Sequence, residues 1–160
     1  MSERDREAKS NPLVVMVNEE TNERYARAIG QKGIGQDGEM SWLVRDMSLQ
    51  MKYWGHMGGE GGKVIMKCDT EHSAVALRDA IGKYHGGCVI PQHPPKGESQ
   101  ANGNVEESVR VVREYTRVFK EQLEDKIGVK VDRGEIIVLW MVRWAAMVTS
   151  RYIIGRDGLA

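Results

Sequence analysis

Several features that would assign a protein class at once are absent from this sequence. Its 160 residues carry 23 Lys and Arg against 23 Asp and Glu, and this balance argues against a uniformly basic nucleic-acid-binding protein. Two cysteines, Cys68 and Cys88, are too few for a disulfide framework. No apolar run approaches the roughly 20 residues of a membrane-spanning helix. The polar first 11 residues lack the apolar core of a secretory signal. We therefore expect an intracellular protein with reduced thiols and no membrane partner.

What is present is an ordinary globular composition, with 41% hydrophobic and 29% charged residues. The length allows one domain. Residues 1–11 are almost wholly polar and predict a loop, and residues 12–158 predict a single folded domain.

Hydrophobic patterning along the chain predicts four strands and four helices. The predicted strands are 12–17, 24–29, 63–68 and 86–91, of which the first two form an antiparallel hairpin. The predicted helices are 38–54, 73–84, 104–127 and 134–152. A strand–helix–strand stretch over 63–91 favours the α/β class, with a partly parallel, mixed sheet flanked by helices.

Two carboxylates occupy positions at which α/β proteins carry functional groups. Asp69 directly follows the third predicted strand, and functional groups gather at the carboxyl ends of strands in open α/β sheets. An Asp in that place can also be the N-cap of the helix that follows, so both interpretations stay open. Glu106 lies in the first turn of the long helix, after a loop rich in Pro and Gly.

Beside the core-facing side of the 104–127 helix runs a row of basic side chains. At about 100° per residue, Glu106 begins a stripe that continues through Arg110, Arg113, Arg117 and Lys120. One interpretation is a solvated helix whose charges pair at i,i+4. The other is a metal-binding carboxylate beside a basic strip that follows a phosphate backbone. A net charge of zero is compatible with the second interpretation, because the local field decides phosphate binding.

The order and spacing of these features resemble the catalytic core of retroviral and retrotransposon integrases. Asp69 in KCDTE is followed 37 positions later by Glu106 in NGNVEES, with a short strand and the HPPKGESQANG loop between them. The ending SRYIIGRDG is similar to the segment after the last helix in retrotransposon polyproteins. The resemblance implies a ribonuclease-H-like fold with an Asp, Asp, Glu triad.

The resemblance also implies a function and a set of site residues. Integrases transfer DNA strands at a phosphodiester with Mg²⁺ or Mn²⁺, which Asp69 and Glu106 would bind. DNA is the implied partner, a homodimer through the C-terminal helices is a further expectation, and the nucleus is one candidate location. The implied DNA-binding residues are Arg110, Arg113, Arg117 and Lys120. The implied active-site loop contains Ser99, Gln100, Asn102 and Gly103.

One element of the family pattern is missing from this sequence. The first Asp of the family lies in a central strand that precedes the 12–17 strand and separates it from the 63–68 strand. Asp5 lies at a suitable distance from Asp69, but SERDREAKS contains no apolar residue except Ala8, unlike a central strand. Without that strand both neighbours would present unpaired backbone groups. We therefore expect a truncated and inactive integrase core.

Other interpretations of the same residues remain open. A non-catalytic module could keep the basic strip without the chemistry, and a structural protein could dimerise through the apolar 136–148 segment. Cys68, His72, His85 and Cys88 form C-x3-H-x12-H-x2-C, a spacing close to that of structural zinc sites. Against zinc, Cys68 ends a predicted buried strand, where cysteine is common as a small apolar residue.

Overall fold

A computed structural model describes residues 12–29, 41–59, 61–92 and 103–153. These residues contain all eight predicted elements, and the element ends that can be compared lie within two residues of the predicted ones. In chain order they are β1 (Leu13–Val17), β2 (Arg24–Ala28), α1 (Ser41–Tyr53), β3 (Lys63–Lys67), α2 (His72–His85), β4 (Cys88–Gln92), α3 (Gly103–Ile127) and α4 (Ile136–Tyr152). The predicted start of α1 at residue 38 and the predicted N-terminal loop lie outside the described residues.

The four strands form two two-stranded sheets, where the sequence predicted one mixed sheet. β1 and β2 are antiparallel, with Leu13 opposite Ala28 and Val17 opposite Arg24. β3 and β4 are parallel, and their pairing begins with Lys63 opposite Cys88. The α/β class is therefore confirmed, together with its hairpin and its parallel pair. The predicted single sheet is not formed. Among the described strands, β1 pairs only with β2, and β3 pairs only with β4.

The chain divides into two compact units. Unit 1 lies within Met1–Gln31 and Asn104–Ala160, and unit 2 lies within Lys32–Gly103. Unit 1 therefore contains the β1–β2 hairpin with nearly all of α3 and with α4, and unit 2 contains α1, α2 and the β3–β4 sheet. In sequence, unit 2 is one continuous stretch inserted between the two parts of unit 1.

Small side chains bring α4 close to the hairpin in unit 1. Ala145 and Ala146 on α4 are 0% and 2% exposed and form a buried cluster with Ala26 on β2. Alanine has no atoms beyond Cβ, so the helix and the strand approach closely here. Val112 from α3 and Val142 from α4 complete the cluster, and partly buried side chains pack against it: Leu13, Val15, Ala28, Tyr115 and Phe119.

Apolar residues on one face of α1 bury it against α2 in unit 2. Leu43, Met47 and Met51 recur at helical spacing and are at most 3% exposed, and Ile81 on α2 is completely buried. α2 packs on β4 at Gly82, where a Cβ would be in ordinary van der Waals contact with the Cβ of Val89, at 3.5 Å.

Within residues 12–29, 41–59, 61–92 and 103–153, no helix has the combination of length and apolarity needed to span a bilayer.

Candidate metal and nucleic-acid site

Asp69 lies directly beyond the carboxyl end of β3 in unit 2. Its side chain is exposed, and its Oδ1 accepts a hydrogen bond of 2.7 Å from the backbone N–H of Thr70. The helix that follows has Glu71 as its N-cap, so the interpretation of Asp69 as the cap is wrong. Because β3 and β4 are parallel, Asp69 shares a sheet edge with Gln92, the last residue of β4. The carboxylate therefore stands where an α/β sheet presents its functional groups.

Glu106 lies in the first turn of α3, in unit 1. Its side chain is exposed, and it forms no ion pair within the part of the chain that the structure describes. The positive end of the helix dipole favours a carboxylate in this turn. The carboxylate is therefore held on a regular helix and remains accessible to a solvent cation.

Arg24 on β2 fixes the start of α3, and its role could not be read from the sequence. Its Nε donates a hydrogen bond of 3.1 Å to Oγ of Ser108, two residues after Glu106. Its Nη1 donates to the carbonyl of Thr149, and its backbone N–H donates to Oγ of Ser150 at 2.7 Å. Burial lowers the pKa of Arg24, and the charge of Glu107 opposes that shift. One side chain thus joins β2, α3 and α4.

The two candidate metal ligands belong to different units, with Asp69 in unit 2 and Glu106 in unit 1. Among the residues for which the structure gives positions, no three His, Cys, Asp or Glu side chains are grouped as a metal site. Of the remaining predicted residues, Gly103 is the first residue of α3. Four lie outside the described ranges: Asp5, Ser99, Gln100 and Asn102.

The basic strip, defined as Arg110, Arg113, Arg117 and Lys120, lies along α3. Arg110 pairs with Glu107 at 2.6 Å and with Glu114 at 3.5 Å. Arg117 pairs more loosely with Glu121, at 3.8 Å. Arg113 is exposed and makes no ion pair with any residue of the described ranges. The i,i+4 pairing that the sequence left open is therefore present, together with one i,i+3 pair, and the three arginines remain at the surface.

The pairs of Arg110 are of a kind that a phosphate can replace. The hydrogen bond with Arg110 lowers the pKa of Glu107 and raises the pKa of Arg110. Arg110 is nevertheless 62% exposed and Arg117 is 72% exposed. Exposed ion pairs on helices contribute little to stability, so a phosphate group can compete for these guanidinium groups.

Lys120 differs from the three arginines because it neutralises a buried carboxylate. It donates a hydrogen bond to Glu124, whose side chain is 4% exposed. Glu124 also accepts from Nζ of Lys130 at 2.9 Å and from the backbone N–H of Val131 at 2.8 Å. The hydrogen bonds from Lys120, Val131 and Lys130, in that order, lower the pKa of Glu124 to about 2. A phosphate that drew Lys120 away would leave Glu124 short of one partner.

The zinc interpretation is wrong for the described residues, which include all four members of the pattern. Sγ of Cys68 accepts a hydrogen bond from Arg78, and burial is the main cause that raises the pKa of this thiol. His85 is buried and bonded to Ser48, whereas Cys88 is exposed. No group of three ligands forms from them.

An apolar groove lies between α3 and α4 within unit 1. Its volume is about 510 Å³, and Lys126 is the one charged side chain in its lining. Trp140 and Trp144 are one helical turn apart and are 60% and 55% exposed. The guanidinium of Arg143 lies 5.8 Å from the centre of the Trp140 ring. The remaining lining residues are Phe119, Gln122, Leu123, Ile137 and Met141.

The chain was also compared with known proteins. No family model matches its sequence, and a search of curated proteins gave no match. Its function is therefore inferred from the carboxylates, the basic strip and the groove.

Proposed function

We propose that this chain is an integrase-core-like domain that binds DNA, with Asp69 and Glu106 as ligands of Mg²⁺ or Mn²⁺. The observation that carries the proposal is the state of these two carboxylates. Both are exposed, one at the end of a strand and one at the start of a helix, and neither pairs with a cation in the described residues. Oxygen atoms of this kind are the ligands that hard divalent ions prefer.

The pairing of the strands supports a ribonuclease-H-like topology. The sequence resemblance implies a central strand between β1 and β3. The antiparallel hairpin and the parallel pair are the parts of that topology that the described strands contain, and they support the proposal, although the predicted single sheet is not formed.

The chemistry follows from the charges that the chain offers. Divalent ions at such a site would activate a water or a DNA 3′-hydroxyl and stabilise the leaving oxygen. Arg110, Arg113 and Arg117 supply exposed cations for the DNA backbone. The sequence supplies two of the three carboxylates that the resemblance implies, so we propose that it binds DNA and lacks strand-transfer activity.

The experiment that tests DNA binding is a salt titration with a duplex, followed by fluorescence anisotropy. We expect affinity to fall between about 50 and 200 mM salt, and the slope to decrease by about one for each phosphate-binding arginine removed. Arg113→Ala should weaken binding, whereas the matched control Arg133→Ala, an exposed arginine outside the strip, should not. Equal losses in both variants would contradict a role for the basic strip.

Metal binding and activity need separate measurements. We expect Mn²⁺ to bind the full chain, observed by electron paramagnetic resonance, and binding to weaken in Asp69→Asn and in Glu106→Gln. Glu135→Gln, an exposed acid at the start of α4, is the control. A divalent-dependent strand-transfer assay should give no product, and robust transfer would contradict the proposed inactivity.

A second candidate function is dimerisation through α4. The observation that favours it is an apolar strip spaced by four residues, in which Ile136, Trp140 and Trp144 are 71%, 60% and 55% exposed. Exposed apolar strips of this size commonly mark protein interfaces. Sedimentation equilibrium should show a dimer that Trp140→Ser weakens and that Tyr84→Ser, an exposed aromatic in unit 2, does not. A monomer at all concentrations would rule this function out.

A further inference from the structure

His85 is an ionisable side chain that is buried between two helices of unit 2. It is the last residue of α2 and is 3% exposed. Its Nδ1 lies 2.9 Å from Oγ of Ser48 on α1, and Ser48 is itself 1% exposed. This hydrogen bond joins α1 to α2 in the middle of an otherwise apolar contact that includes Met51 and Ile81.

The second ring nitrogen of His85 sets the protonation state that the site tolerates. Nε2 is buried and has no hydrogen-bond partner within the described part of the chain. The neutral tautomer with its proton on Nδ1 fits this environment, because Nδ1 then donates to Ser48 and Nε2 carries only a lone pair. A second proton would place a charge in this buried site, where the backbone of His56 is the one group acting on the ring that favours it, so protonation is unfavourable.

The backbone around His85 restricts relaxation of the ring. A Cβ on Gly58 would lie 1.9 Å from the carbonyl oxygen of His85, so only glycine fits at this contact. The N–H of Gly59 donates a hydrogen bond of 2.7 Å to the carbonyl of Gly86, which ends α2 in the left-handed conformation. The segment that follows α1 therefore closes over the end of α2.

The charged groups around His85 also oppose its protonation. Those that act on the ring are Lys52 on α1 and His56 in the segment after α1, and both are basic. No carboxylate from α1, α2 or β4 is among them, within the described residues. Burial is the main cause that lowers the pKa of His85 below its ordinary value of 6.5, and the backbone of His56 partly opposes the shift.

We propose that Ser48 and His85 form an acid-sensitive latch that holds α1 against α2 only while His85 is neutral. A histidine with a lowered pKa in the folded state stabilises the fold fully above its unfolded pKa. That contribution is lost as pH falls from 6.5 towards the folded value. Unit 2 should therefore open in mildly acidic solution, while unit 1, which does not contain this pair, keeps its structure.

Hydrogen exchange of the full chain, read by mass spectrometry and corrected for the intrinsic rate, tests the latch. Between about pH 7.5 and 5.5, protection of peptides from α1 and α2 should fall several-fold, with a ceiling of about tenfold for one proton. Peptides from α3 and α4 serve as the internal control and should change less than twofold. His85→Asn should remove the pH dependence, because asparagine can replace the Nδ1 hydrogen bond and does not titrate in this range.

His56→Asn is the matched control, since it removes the neighbouring histidine and should leave the pH dependence in place. Retention of the full dependence in His85→Asn would overturn the proposal, as would an equal loss of protection in both units. If His85→Asn does not fold, the ring can be titrated in the wild-type chain by nuclear magnetic resonance. A pKa of His85 at or above 6.5 would then overturn the latch.

Discussion

Glu124 in unit 1 and His85 in unit 2 are both buried ionisable side chains, and their environments have opposite consequences. Glu124 in unit 1 is 4% exposed, and His85 in unit 2 is 3% exposed. Glu124 receives hydrogen bonds from two lysines and a backbone N–H. His85 has one partner on one ring nitrogen and none, within the described residues, on the other. The number of compensating partners, and not burial alone, thus decides whether a buried group keeps its charge.

The largest effect should come from removing the acceptor at the better compensated site. Glu124→Ala leaves Lys120, Lys130 and the backbone N–H of Val131 without their shared carboxylate. We expect the melting temperature of the full chain to fall by at least about 4 °C in differential scanning calorimetry. The control Glu121→Ala removes an exposed acid that pairs at 3.8 Å and should change it by about 1 °C or less. Equal shifts of the melting temperature in the two variants would contradict the expected difference between the buried and the exposed carboxylate.

The pH ranges of the two sites should also separate. The pKa of Glu124 lies at about 2, below its ordinary 4.5, so its contribution is present above pH 4.5 and is lost as pH falls towards 2. The contribution of His85 is lost earlier, as pH falls below 6.5. Acid titration followed by hydrogen exchange should therefore open α1 and α2 before α3 and α4. Opening of α3 and α4 before α1 and α2 would contradict this assignment of the two pH ranges. So would a Glu124→Gln variant that loses protection below pH 4.5 in the same way as the wild-type chain.

A smaller effect on stability is expected from the serines that hydrogen-bond His85 in unit 2 and Arg24 in unit 1. Ser48→Ala leaves Nδ1 of His85 buried without its partner, which should lower the free energy of unfolding by about 1–3 kcal/mol. Ser150→Ala removes the acceptor of the Arg24 backbone N–H, a partly buried contact, and should lower it by about 0.5–1.5 kcal/mol. Urea unfolding of the two variants measures both values. A larger loss in Ser150→Ala would reverse the comparison.

The smallest effect on stability should come from the exposed pairs of the basic strip. Arg110→Ala removes two surface ion pairs and should shift the melting temperature by about 1 °C or less. The same variant should still weaken binding to a DNA duplex in the anisotropy titration. A large loss of stability together with unchanged DNA binding would identify Arg110 as a structural residue.

Local patterning was sufficient to predict each helix and strand that the structure describes. Periods of two and of 3.6 residues are properties of short windows, so the β1–β2 hairpin and α3 could be predicted from their own residues. The division into two sheets could not be assigned in that way, because strand pairing joins distant residues.

A residue of the candidate site could be predicted only where its position along a helix or strand determines its placement. Asp69 at a strand end and Glu106 in a first helical turn follow from the predicted elements. The role of Lys120 does not, because its partner Glu124 is fixed by Lys130 and Val131 in the connection after α3. Ser48 and His85 are 37 positions apart on different helices, and no local pattern marks their contact.

The contacts of Arg24 have a consequence for the order in which the chain folds. This residue donates hydrogen bonds to Ser108 and Thr149, which lie 84 and 125 positions further along the sequence. Contacts of such separation form slowly, since a long loop must close before they can contribute. During synthesis these contacts of the hairpin must wait until residue 149 has left the ribosome, whereas unit 2 is continuous and can fold as it emerges. The β1–β2 hairpin is therefore synthesised first, and its contacts with α3 and α4 are among the last to form.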